Sequence, residues 1–121
     1  MVLRTRLAVG AVVLFIAIGA QCVTSHYHDA RIRREVQAKA QALKDEIDRR
    51  FPSGTRRSDF DPFAASWAGW HATSGNEHYL SVGEIPSPVW YCGPWDVVVI
   101  VRFKDERLMD TAVNRIGLNC P

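Results

Sequence analysis

The sequence predicts an α+β protein: an N-terminal hydrophobic helix followed by a small ααβββ two-layer domain with an antiparallel sheet. Three observations carry this expectation. An uncharged apolar stretch opens the chain. Two segments then repeat apolar residues at helical spacing. A valine-rich segment near the C-terminus, of strand character, is followed by a charged turn and a second such segment. The organisation read from these signals is a transmembrane anchor or signal segment over 1–24, an amphipathic helix over 25–50 and a small α+β envelope domain over 51–121.

The opening reads MVLRTR and then LAVGAVVLFIAIGA. Two arginines before an uncharged run form the layout of an export signal. Counted on through Gln21, Cys22, Val23 and Thr24, residues 7–24 supply 18 residues, enough to cross a bilayer as a helix. An uncleaved anchor is one reading. Cleavage after Gly19 or Ala20, both small, is another and would leave a secreted or periplasmic protein. Lipid attachment at Cys22 would need a small residue where Gln21 stands. Arg4 and Arg6 favour an N-terminus that stays inside, while Arg31, Arg33 and Arg34 on the other flank weaken that bias. The expected location is a bacterial-type inner membrane, crossed once, with the C-terminal domain in the periplasm.

Residues 29–50 read as one helix. Ile32, Val36, Ala40, Leu43 and Ile47 draw a single apolar stripe. Asp29 in the first turn and Arg49-Arg50 in the last suit the helix dipole. Phe51-Pro52-Ser53-Gly54 breaks the pattern. A second helix is expected through Phe60, Phe63, Trp67 and Trp70, with Asp59 or Asp61 as its cap and Gly69 as its end. Residues 71–94 read as polar loop with a brief strand around His78–Val82. Trp95–Phe103 alternates as a strand, Lys104–Arg107 turns, and Leu108–Ile116 returns. With a three-residue turn over Asp105–Arg107, opposed residues carry numbers that sum to 212. Arg102 then faces Asp110, Val99 faces Val113 and Phe103 faces Met109. Arg115 falls opposite Val97 on the inner face, an awkward place for an arginine.

The stretch WYCGPW, residues 90–95, looks like the W-C-G-P-C of a thioredoxin, but Trp95 stands where the resolving cysteine belongs. Strand rather than helix follows, so no helix dipole lowers the thiol pKa. The hairpin count offers Cys92 another use, because it places Cys92 opposite Cys120. A disulfide there is geometrically reasonable and needs the oxidising compartment that the export signal implies. Cys22 is left over within the apolar segment.

The formal net charge is +2, both excess charges lie before the apolar run, and the rest of the chain is balanced. No nucleic-acid footprint is present. His26-x-His28 lacks the partners of a metal site, so no metal and no cofactor is expected. No catalytic signature is found, and the chain is read as a non-enzyme. The candidate interaction surface is Trp67, Trp70 and His71. A rival reading gathers His71, His78 and Glu77 around Trp67 and Trp70 as a ligand pocket.

Two longer stretches, FPSGTRRSDFDPFAASWAGW and VVVIVRFKDERLMDTAV, pair a G-T followed by a short amphipathic helix with a V-x-V-x-F hairpin. In this, residues 51–118 resemble the SmpA/OmlA (BamE-like) family of small envelope proteins. The resemblance implies a scaffold in envelope or outer-membrane protein assembly, joined to another envelope protein. Gln21, the lack of G-x-P after the second helix and the extra pair Cys92 and Cys120 depart from that family. The layout is also similar to type IV pilin-like proteins, which would imply an assembly subunit. The Gly–Phe junction and following Glu of that group are missing.

Overall fold

The computed structural model describes residues 2–89 and 91–117. It is α+β: a long helix, a short helix and a four-stranded antiparallel sheet. Helix α1 runs Val2–Arg50, α2 Arg57–Ala65, β1 His71–Ser74, β2 Glu77–Ile85, β3 Trp95–Lys104 and β4 Arg107–Gly117. The strands form a meander in the order β1-β2-β3-β4. The chain divides into two compact units, residues 1–31 and 32–121.

In the first unit the helix is apolar and solitary. Its large side chains from Leu7 to Val23 are between 52% and 77% exposed. In the second unit the expected stripe is in place. Ala40, Leu43 and Ile47 are buried against the sheet, and Ile32 and Val36 are half-buried. Lys44 bonds Asp48 at 2.6 Å and Arg50 meets Glu46 at 3.3 Å, one helical turn apart on the wet side. The helix ends where Pro52 cannot continue it.

Both helices cover the same face of the sheet. The main core gathers Leu43 and Ile47 of α1, Phe60 and Ala64 of α2, and Leu80, Val99, Val101, Phe103 and Leu108 of the sheet. A smaller cluster joins Ala40, Ile85 and Val97. The inward residues of β3 are those expected from alternation, but its outward residues Val98 and Ile100 are buried as well. β3 is central, with β2 and β4 on its flanks, so its two faces are shielded by neighbouring side chains.

Several expectations change in detail. Helix α2 is shorter and earlier than its aromatic stripe implied. Its cap is Arg56, without a side-chain bond, and it stops at Ala65. Pro62 stands sixth in the helix, past its first turn, and has no N–H for the bond one turn back. The stretch read as polar loop is a hairpin. Ser74 pairs with Glu77 around Gly75-Asn76, and Gly75 has φ +57°. The sheet therefore has four strands, not three.

The β3–β4 turn holds two residues, Asp105 and Glu106, not three. Phe103 consequently faces Leu108 rather than Met109. A bulge beside Arg102 then adds one residue to β4 and restores the expected register. Arg102 faces Asp110, Val99 faces Val113, and Arg115 does face Val97. The arginine is tolerated because β4 is an edge strand and its side chain is exposed. The ladder is described as far as the pair Trp95–Gly117. Cys120 lies outside the described residues, and so does its pairing with Cys92. Cys22 is a free, exposed thiol.

Candidate functional site

The sheet has two ends. The turns at Gly75–Asn76 and Asp105–Glu106 mark one, and the long β2–β3 loop marks the other. Helix α2 crosses near the first end and leaves β1 only partly covered. A shallow groove of about 260 Å³ remains there, lined by Arg57, Asp61, His71, Thr73 and His78 with two alanines of α2.

His78 is the centre of this groove. It is buried, with its ring edge-on to Phe60 and Phe103 at 5.5 Å from each. Its Nε2 lies 3.2 Å from Asp61 Oδ1, off the line of a good hydrogen bond. Its Nδ1 lies 3.4 Å from Thr73 Oγ1. Burial holds its pKa below the usual histidine value, with the Asp61 carboxylate opposing that effect and Arg57 adding to it. The imidazole is therefore neutral at pH 7.

The order carboxylate, imidazole, hydroxyl resembles a hydrolase relay on paper. Here the ring lies edge-on between two aromatic side chains, and its two polar contacts are 3.2 Å and 3.4 Å long. What the group does is tie three elements together: Asp61 on α2, His78 on β2 and Thr73 on β1. Asp59 and Asp61, expected as caps, serve otherwise. Asp59 sits in the first turn of α2 and Asp61 meets His78.

The three residues of the expected interaction surface are separated. Trp67 lies just past α2, half-buried, and donates from Nε1 to the Ser81 carbonyl at 2.7 Å. Its ring joins the core rim beside Phe63. Gly69 allows this approach: a Cβ there would lie 2.7 Å from the Ser81 carbonyl and 2.9 Å from Trp67 Nε1. Trp70 is 55% exposed. His71 is exposed in the groove, so alternation sends Trp70 to the other side of the sheet. The rival pocket does not assemble either. His71 and His78 share the groove, but Glu77 accepts from the Tyr79 hydroxyl and meets Arg102 at 3.4 Å on the opposite face.

That opposite face carries a row of ion pairs, Glu77–Arg102–Asp110, across three strands. It also carries Asp96, buried and bonded by Ser81 Oγ at 2.6 Å. Among the described residues no group of three or more His, Cys, Asp or Glu side chains is placed to hold a metal ion.

Among the described residues, most of the exposed large apolar side chains lie on the first unit of α1. It has a mean hydropathy of 2.3 over 18 residues and no buried share, long and apolar enough to cross a membrane as an anchor or to serve as a signal sequence.

No protein-family model matches the chain, and no curated protein or solved structure matches it.

Proposed function

We propose that this chain is a single-pass, membrane-anchored envelope protein whose C-terminal domain works by protein contact as a non-catalytic scaffold. One observation carries the reading. The apolar side chains of residues 7–23 are more than half exposed, and water is a poor solvent for so long an apolar surface. A bilayer is the solvent that suits it, and 18 helical residues rise about 27 Å, close to a hydrocarbon core.

The periplasm is the proposed side for the domain, and a Cys92–Cys120 disulfide belongs to the same reading. The observed pair Trp95–Gly117 keeps the count that, three residues further out on each strand, reaches Cys92 and Cys120. Assembly of envelope or outer-membrane proteins is the proposed process, from the resemblance alone.

The test is the intact mass of the protein extracted from membranes, with and without thiol alkylation. Full-length mass in the membrane fraction, and alkylation of Cys22 alone before reduction, are expected. Loss of residues 1–20 would remove the anchor. Alkylation of Cys92 and Cys120 without reductant would remove the disulfide and the oxidising compartment.

A further inference from the structure

We propose that a groove between α1 and the C-terminal half of β4 is a carboxylate-binding site, and that its ligand is an acidic side chain of a protein partner. The bearer of the carboxylate rests on the contact reading above; the site itself does not.

The groove holds about 330 Å³ and is lined by Gln37 of α1, Trp95 of β3, and Val113, Asn114 and Arg115 of β4. All five belong to the unit of residues 32–121. β4 is the last strand of the sheet, so a partner reaches the groove from a free edge. Hydrogen-bond donors dominate the lining. Trp95 Nε1 is buried and has no hydrogen-bond partner among the described residues, and an indole N–H can only donate. Asn114 Oδ1 accepts from the Arg115 backbone N–H at 2.8 Å, which leaves its NH2 group as a donor. Gln37 adds an exposed amide from α1.

Arg115 supplies the charge. Arg50, Arg57 and Arg102 each meet a glutamate, whereas Arg115 meets no carboxylate among the described residues. The register sets Arg115 against Val97 on the face that α1 covers. On that same face Thr111, four residues earlier in β4, is held by Asp48 of α1. Beside Arg115, α1 presents the neutral Gln37 instead, so the helix closes one polar contact with β4 and leaves the guanidinium open. An ionised carboxylate is an acceptor-only group whose two oxygens match a guanidinium fork, and further donors nearby strengthen the pair. A neutral carbonyl would leave the arginine uncompensated, and a doubly charged phosphate would exceed its single charge.

The test is a titration of the full, nitrogen-15-labelled chain in detergent micelles, at constant ionic strength, with acetate, acetamide and inorganic phosphate in turn. The side-chain N–H signals of Arg115 and Trp95 are read, assigned with Arg115→Gln and Trp95→Phe. Arg49, an exposed arginine of α1 outside the groove, is the reference. Acetate is expected to move both groove signals to saturation, with at least tenfold weaker binding at Arg49 and no response to acetamide. In Arg115→Gln the Trp95 response should vanish while the β3 amide signals keep their positions. The capped peptide acetyl-Val-Asp-Val-amide should saturate the groove at a tenfold lower concentration than acetate, and its Asn counterpart should not bind. No saturation at Arg115, an equal response at Arg49, an equal response to acetamide or tighter binding of phosphate overturns the carboxylate site and leaves the contact role of the domain as it was. Saturation by acetate with the aspartyl peptide no tighter overturns the protein bearer, since the groove would then hold a free small acid.

Discussion

Asp105 and Glu106 form the β3–β4 turn with φ of 52° and 60°, a left-handed conformation that costs an L-residue about 1–2 kcal/mol. Two-residue hairpins with this twist favour Asn-Gly or Asp-Gly. Glu106 is therefore the misfit, and its 3.8 Å contact with Arg57 is too exposed to offset much. Glu106→Gly is expected to stabilise the domain by about 0.5–1 kcal/mol, read as a higher midpoint in urea unfolding of the detergent-solubilised protein. A drop in midpoint would mean that the Arg57 contact outweighs the backbone strain. His78 carries a second residue-scale prediction. Its folded pKa lies below the unfolded value of about 6.5, so the unfolded chain binds the proton more readily. Stability from this site is complete above pH 6.5 and falls as pH drops toward the folded pKa. Urea midpoints measured from pH 7.5 to 5 should decline, and His78→Phe should flatten that decline. For Asp48, burial raises the pKa, but the Lys44 and Thr111 contacts outweigh this and hold it below the ordinary carboxylate value. Its contribution is therefore lost only at lower pH, as the acid range is entered.

At the scale of elements, α1 holds the sheet through a narrow contact. Ala40, Leu43 and Ile47 are its fully buried residues, and Ile47 is wholly shielded in the main core. Ile47→Ala is expected to cost about 2–4 kcal/mol, through lost burial and the cavity left behind. The exposed Ala42→Ser on the same helix should change stability by less than about 1 kcal/mol. Equal effects of the two, by chemical denaturation, would show that α1 does not pack as described. The stripe from Ile32 to Ile47 was readable because a 3.6-residue period survives burial. The end of α2 was not, because Trp67 and Trp70 continue the helical spacing after the helix has stopped. Trp67 leaves the helical path to bond the Ser81 carbonyl, a tertiary contact that local periodicity does not contain. The β1–β2 hairpin does carry a signal, Gly75-Asn76 between two short β-prone segments, but the polar composition around it reads as loop.

For the whole molecule, the proposed Cys92–Cys120 bridge would close nearly the entire β3–β4 hairpin. A loop of that size is worth on the order of 3–4 kcal/mol in the chain-entropy model. Reduction should lower the urea midpoint by a corresponding amount, and Cys22→Ser should leave it unchanged. A midpoint indifferent to reductant would remove the bridge from the account of stability. The candidate site shows the reverse balance between sequence and fold. Trp67, Trp70 and His71 are close in sequence, yet they end in the core rim, on one face and in a groove on the other. Asp61 and His78 are seventeen positions apart and meet at 3.2 Å.

The sequence by itself determined the α+β class, the apolar opening, the stripe of α1, the alternation of β3 and the pairing that sets Arg102 against Asp110. These follow from periods of 3.6 and 2 and from charge placed along one chain, which are local properties. Only the tertiary structure decided the fourth strand, the two-residue turn with its compensating bulge, the burial of both faces of β3 and the Asp61–His78–Thr73 tie. Each depends on which element lands beside which, and the register came out as counted because a shorter turn and an added bulge residue cancelled.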